Sequence, residues 1–321
     1  MTPTWRSRLG PQIAAYLALK KSLGRRFFSE TYLFKQFDRF LAQRRAAAVT
    51  PAIFGEWVHT FDHVSPTVRR NRMRNIRNFC LYLRRRDRTC FVPDSSGFPA
   101  PHVTRRPHIF SVEEIARLLR VATMLPARST SLLRGPVFRL AVVLLYTTGL
   151  RRGELVRLAM SDYDPVERTL LVRTSKFHKS RLVALSESTV GELEQYLRLR
   201  RRLPGAADTP LLVNNHHGCS GYSGESFGQA MRWLFRAADV RTSSGRFPHV
   251  HDLRHTFAVH ALLRWYRDGA DVQAKLPALA TAMGHVSVAS TAYYLALLGP
   301  VAEAASDRFE RHWRRISGGR R

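Results

Sequence analysis

Two domains, mainly helical, the second carrying a small antiparallel sheet: this is the fold class the chain predicts. Three observations carry it. At 321 residues the chain is long for one hydrophobic core and ordinary for two. Apolar residues recur at three- and four-residue spacing over most of its length, and two short runs near 169–173 and 181–185 read instead as a hairpin. A stretch over 93–107 of Pro, Gly, Ser, His and Arg has little periodicity and separates the two halves. The expected division is a helical domain over 1–98, a linker over 99–108 and a mixed α/β domain over 109–321.

In the first domain, Ile13, Leu17 and Leu19 with Lys20 and Lys21 mark one amphipathic helix, and Leu33, Phe34, Phe37, Phe40 and Leu41 a second. The three phenylalanines are expected in the core. Thr50-Pro51 pairs a capping hydroxyl with a proline at the first helical position and predicts a helix over 53–61. Ser65-Pro66 repeats the signal for a helix to about Arg86, with Met73, Ile76, Cys80 and Leu83 as its buried stripe. That helix carries Arg69, Arg70, Arg72, Arg74 and Arg77, then Arg84, Arg85, Arg86 and Arg88, against the single acid Asp87. Such a run repels itself without an anionic partner, so the first five are candidate contacts to a nucleic-acid backbone.

In the second domain, Ser111-Val112-Glu113-Glu114 is a capping box for a helix to about Ala122. A buried helix is expected over 137–147, ending at Gly149. A tight turn then presents Arg151 at the head of a short helix, and Asp162-Tyr163-Asp164-Pro165 reads as a turn. The hairpin follows, its connection carrying Lys176 and Lys179. Helices are expected over 187–202, 226–238 and 276–283, with 211–213 as a third strand and 302–313 as an amphipathic tail.

Composition narrows function. Lys and Arg number 52 against 24 Asp and Glu, a formal charge of +28 and a pI near 11.4, which points to a polyanion, nucleic acid before an anionic membrane surface. The longest apolar run, 140–146, falls far short of the roughly 20 residues that span a bilayer. No signal-peptide pattern opens the chain, and Cys80, Cys90 and Cys219 lack metal spacing, so reduced thiols in a bacterial, nucleoid-associated cytoplasmic protein are expected. No paired-carboxylate cluster of the kind used by two-metal nucleases is present, and neither metal nor cofactor is expected.

The most informative stretch is His251-Asp252-Leu253-Arg254-His255-Thr256-Phe257-Ala258. Three apart on a helix, His251 and Arg254 share a face and can reach one phosphate, the guanidinium as a fork of donors and the imidazole as donor or proton carrier. Taken with Thr148-Gly149-Leu150-Arg151-Arg152-Gly153-Glu154-Leu155, the hairpin lysine, and Gly284-His285 followed nine residues later by Tyr294, it resembles the tyrosine recombinases, or phage-integrase family, over nearly the full chain. Arg264 to Asp271 and the tail after His285 look like a transposon-associated branch. The chain departs in Met283, where leucine is usual, and in a longer interval between Arg254 and His285, where an extended loop or helix is expected over 264–276.

The resemblance implies a SAM-like, core-binding helical domain and an α/β catalytic domain, with DNA as substrate. Tyr294 falls at the nucleophile position, Arg151 and Arg254 at the two arginines, His251 at the first histidine, His285 at the second basic position, Lys176 at the hairpin lysine and Glu154 at the supporting acid. In chemical terms Arg151, Arg254 and His285 would be cations for the non-bridging oxygens, His251 the base for Tyr294, and Lys176 the acid for the leaving oxygen. Tyr293 and Lys179 remain rivals for two of these roles, Tyr293 being otherwise expected in the core. His255 and His260 are expected to be structural or solvent-facing. The resemblance further implies a dimer per site and a tetramer on synapsed DNA, with sister recombinases as further partners and the 302–313 segment docking on a neighbour. A type IB topoisomerase-like relaxing enzyme and a catalytically silent DNA-binding accessory protein are the alternatives.

Overall fold

The computed structural model describes residues 5–24, 27–100, 106–129, 131–173, 180–205, 208–214, 220–285 and 289–295. The chain divides into two compact units, Met1–Arg105 and Arg106–Arg321.

The first unit is helical: α1 (Gly10–Ser22), α2 (Phe28–Gln43), α3 (Pro51–His59) and α4 (Pro66–Arg84). Thr50 caps α3 as its sequence predicts, its hydroxyl accepting from Ile53 N at 3.2 Å with Pro51 next in line. Phe34, Phe37 and Phe40 are all buried, and Tyr16, Phe34 and Phe79 meet edge to face at 5.5–5.6 Å between centroids. The stretch after α4 is less free than its composition predicts. Phe98 joins this core, Arg77 Nε donates to Pro93 O at 3.0 Å, and Arg70 Nη1 donates to Pro99 O at 2.6 Å. One buried aromatic and two guanidiniums anchor a segment whose Pro and Ser content reads as linker.

The second unit is built around α6 (Arg134–Thr148), which is buried on nearly every side. Against it pack α5 (Val112–Thr123), which opens with the expected Ser111–Glu114 capping box, and also α8 (Glu187–Arg200) and α10 (Val250–Arg267). Between α6 and α8 lie the short α7 (Arg152–Leu155) and a three-stranded antiparallel sheet in the order β1 (Tyr163–Asp164), β2 (Thr169–Val172), β3 (Arg181–Ala184). Leu170 pairs with Val183 and Val172 with Arg181, so Leu170, Val172 and Val183 are buried. Then come α9 (Gly224–Ala237), α11 (Val272–Met283) and α12 (Ala289–Ala292).

Three expectations need correction. The third strand is Tyr163–Asp164, read from sequence as a turn. The turn begins one residue later, where the Asp164 carboxylate accepts from Val166 N and Glu167 N at 2.9 and 3.0 Å. Residues 211–213 form no strand: pairing there stops at isolated antiparallel bridges, Ala159 with Pro210 and Val213 with Gly221, and Leu211 O accepts from Tyr196 Oη instead of a ladder partner. Finally, α11 starts at Val272 rather than 276: Asp271 caps it by accepting from Ala274 N at 3.1 Å, and Pro277 sits inside it. The long interval after Arg254 is therefore two helices joined by residues 268–271.

Candidate active site

Three chain reversals in the second unit converge on one nest of arginines. The first follows α6, where Gly149 adopts a left-handed φ of +62°. A side chain there would meet two difficulties, the backbone conformation itself and Phe257, whose Cδ1 lies 2.4 Å from the position of an added Cβ. This turn aims Arg151 inward at the head of α7. The Glu154 carboxylate reaches back to accept from Arg151 N at 2.9 Å and from Arg151 Nη1 at 2.7 Å.

The second reversal opens α10. The Asp252 carboxylate accepts from His249 N at 2.8 Å, which starts the helix so that His251 lies in its first turn and Arg254 one turn deeper. Arg254 is 1% exposed and donates to Gly149 O at 2.5 Å and Met283 O at 2.7 Å.

The third reversal ends α11. Gly284 takes a left-handed φ of +65°, Gly284 N donates to Thr281 O, and His285 N donates to Ala280 O at 2.8 Å. This Schellman closure explains the Gly-His pair: glycine supplies the conformation and histidine is the residue locked just beyond it. It also leaves the last carbonyls of α11 for other donors. Ala282 O accepts from Arg181 Nε at 3.0 Å, Met283 O from Arg254, and Gly284 O from Arg151 Nη2 at 2.7 Å.

Charge in the nest is lopsided. Glu154, 3% exposed, answers Arg151 and also Arg181, whose Nη1 and Nη2 donate to its two oxygens at 3.1 and 2.9 Å. Burial alone would push the Glu154 carboxyl up; the bonds from Arg181 and Arg151 more than reverse this and hold it at about 2. Burial, then the neighbouring Arg151 charge, brings the Arg254 guanidinium down to about 10, still cationic near pH 7. Among the described residues Arg151, Arg181 and Arg254 thus face a single carboxylate, and the excess positive charge suits an anion.

Tyr294 is 3% exposed. Its ring lies parallel to that of His285 at 6.1 Å and tilted against His255 at 5.5 Å, and His255 in turn meets His251 edge to face at 4.8 Å. Burial raises the Tyr294 phenol, while the charges of Arg254 and Arg151 pull the other way. His285 Nδ1 lies 2.8 Å from the buried Thr291 hydroxyl. Desolvation first, then Arg254 and Arg151, drive the His285 imidazole down to about 4. In the free site it is a neutral hydrogen-bonding group, not the fixed cation expected from sequence. His251 presents an edge to solvent, yet desolvation of its protein side and the charges of Arg254, Arg151 and Arg152 bring it to about 4 as well. Tyr293, expected in the core, is 39% exposed: packing against the histidines is satisfied by Tyr294, and its neighbour turns outward.

The residues matched by the phage integrase family model, 110–298, span this whole constellation. Relatives extend the match to the first unit: y4rB of Sinorhizobium fredii, named as an integrase/recombinase, is 31% identical over 94% of this chain and 96% of its own. The chain belongs to the phage integrase family. The tyrosine recombinase XerD of Brucella suis is 32% identical over 73% of each chain. Among solved structures, the Tn1549 transposon integrase in complex with circular intermediate DNA superposes with a TM-score of 0.64 at 17% identity, covering 94% of this chain and 99% of that one, a likeness of fold. Membership in the phage integrase family makes the chain a tyrosine-type site-specific recombinase.

Of the sequence-predicted positions in this integrase-family chain, the structure brings together Arg151, Glu154, His251, Arg254, His285 and Tyr294. Lys176 and its rival Lys179 lie outside the described residues, as do Cys219 and the 302–313 segment. Arg181 was missed: it reads as the first residue of a strand, and nothing local ties it to a carboxylate 27 positions earlier. His255 is more involved than expected, its ring touching both His251 and Tyr294 and its buried Nδ1 lacking a partner among the described residues.

The arginines of α4 divide. Arg69 pairs with Asp62 at 2.9 Å, Arg70 and Arg77 hold the 93–99 segment, and Arg72 stacks over Phe61. Arg72 and Arg74 also line a cleft of about 1110 Å³ with Lys20, Arg85, Asn71 and Asn75. Among the described residues no helix is long and apolar enough to cross a membrane, and no cluster of three His, Cys, Asp or Glu could hold a metal ion.

Proposed function

We propose that this recombinase cleaves and rejoins double-stranded DNA through a 3′-phosphotyrosyl link at Tyr294, without metal or ATP, as the integrase or transposase of a mobile element in the bacterial cytoplasm. The observation that carries the reading is the placement of one buried tyrosine against Arg254, with Arg151 and Arg181 beside it and, among the described residues, one carboxylate, Glu154, bonded to them.

The phenol attacks the scissile phosphorus, forming an O–P bond to Tyr294 while the bond to the 5′-oxygen breaks. Arg151 and Arg254 stabilise charge on the non-bridging oxygens, with the neutral His285 adding a hydrogen bond. Because a phenol is protonated near pH 7 and burial raises this one further, a base must take its proton, and His251, neutral above about pH 4, is free to do so. The 5′-oxygen leaves with a proton from Lys176. Attack by a 5′-hydroxyl reverses the sequence and reseals the strand, the phosphotyrosine bond having kept the energy. Arg69, Arg70, Arg72, Arg74 and Arg77 contribute phosphate contacts, chiefly through Arg72 and Arg74 on the open cleft. The Tn1549 neighbour's DNA complex supports the choice of partner.

A nicked duplex from the ends of the encoding element lets the cleaved strand diffuse away and traps the intermediate. The expected result is a protein–DNA adduct on a denaturing gel in EDTA, absent from Tyr294→Phe. A native-gel shift without any adduct would overturn the proposal. The second-order rate of adduct formation should stay level from about pH 7 down to about 5 and fall toward pH 4 as His251 takes up its proton. A midpoint near 6.5, that of an ordinary histidine, would remove His251 as the base.

For assembly, the proposal is a dimer per site and a tetramer across two sites, alone or with sister recombinases, with residues 302–313 docking on a neighbour. Truncation after Gly299 should leave single-site binding intact and abolish cooperative assembly on a gel. Unchanged cooperativity contradicts it.

A further inference from the structure

We propose that Arg181 is a positioning residue for strand cleavage: by gripping both oxygens of Glu154 it restricts Arg151 to a single side-chain bond with that carboxylate, and so keeps the remaining Arg151 donors for the scissile phosphate. The inference rests on the cleavage reading above and adds a residue to it. Arginine and carboxylate in isolation prefer two parallel bonds, fork to fork. Arg151 and Glu154, three residues apart, do not form that pair: only Arg151 Nη1 reaches Glu154 Oε1, at 2.7 Å, while Oε2 takes the Arg151 backbone N–H at 2.9 Å. The fork is Arg181's, at 3.1 and 2.9 Å on the two oxygens. With Nη2 of Arg151 sent to Gly284 O, its Nε–H and one hydrogen on each terminal nitrogen remain uncommitted among the described residues.

The grip is itself held. Arg181 opens β3, and its Nε donates to Ala282 O at 3.0 Å, the carbonyl just before those taken by Arg254 and Arg151. Three arginines from three elements thus take three successive carbonyls at the end of α11, immediately before His285. Gly284 lies beneath the Arg181 guanidinium so closely that an added Cβ would stand 2.9 Å from its Nη1 and 3.1 Å from its Cζ. Lysine carries its three donors on one nitrogen and cannot place them at the separate positions that Nε, Nη1 and Nη2 of Arg181 occupy.

Compare wild type, Arg181→Lys and Arg181→Ala on two nicked duplexes, one with the natural phosphodiester at the scissile position and one with a neutral methylphosphonate there. A methylphosphonate is neutral in the ground state and keeps one non-bridging oxygen in place of two, so it leaves Arg151 less charge to offset. The expected result is adduct formation about 10–100-fold slower than wild type for both variants on the phosphodiester, the usual scale for a residue that orients a reacting one. On the methylphosphonate, variant and wild type should react within about twofold of each other. A variant slowed by one factor on both substrates has merely lost structure, and one equal to wild type on the phosphodiester has lost nothing; either outcome overturns the inference while leaving the cleavage reading in place. Wild type that forms no phosphodiester adduct overturns the cleavage reading, and the inference with it.

Discussion

Arg254→Ala should lower the rate of adduct formation by about 10²–10³-fold while changing the melting temperature by only a few degrees. The kinetic loss follows from position: Arg254 lies beside the Tyr294 phenol at the bottom of the nest, where a preorganised cation acts in a low-dielectric environment. The small thermal effect follows from two opposed terms. Removing the guanidinium orphans Gly149 O and Met283 O, at about 1–3 kcal/mol each. It also removes a buried charge, whose cost, on the order of 3 kcal/mol, shows in the descent of its pKa from the ordinary guanidinium value to about 10. The site thus holds Arg254 at little net gain in stability, as expected of a group placed for chemistry. Single-turnover cleavage and a thermal melt on the same preparation check both halves. Global unfolding, or an unchanged rate, would contradict the assignment.

Glu154 behaves in the opposite way. Its folded-state pKa of about 2 lies below the ordinary value of 4.5, so its stabilisation is fully present above the unfolded value and disappears as pH falls toward 2. The shift corresponds to on the order of 3 kcal/mol lost between about pH 5 and pH 2. Glu154→Gln should therefore lose about 3 kcal/mol near pH 7, because Arg151 and Arg181 are left facing a neutral amide, and its stability should fall less steeply across that acid window. Urea denaturation at several pH values tests this. Parallel curves for the two proteins would show that the carboxylate is not the balancing charge.

Much of the fold was legible because its signals are local. Ser111 and Glu114 form the predicted capping box, Thr50 caps the predicted helix, and Gly149 and Gly284 end helices where the sequence stops them. The errors arose where local signals compete with tertiary contacts. The helix expected from residue 276 begins at Val272, where Asp271 caps it, and Phe98 draws a linker-like segment into a core. Spacing within each segment brought out the matched positions, but no spacing within one segment shows that residues of α7, β3 and α11 meet. Arg181 was invisible for that reason. The neutrality of His285 was invisible too, since it depends on desolvation and on two arginines more than 30 and 130 residues away in sequence (Arg254 and Arg151).

The proposed nucleophile is Tyr294 and not its exposed neighbour Tyr293. Trapped adduct can be digested with nuclease and trypsin, which leaves the peptide spanning 276–308 with a nucleotide remnant. Fragmentation in a mass spectrometer then locates the added mass. The added mass is expected on Tyr294; a remnant on Tyr293 or on any other peptide would rule Tyr294 out as the nucleophile.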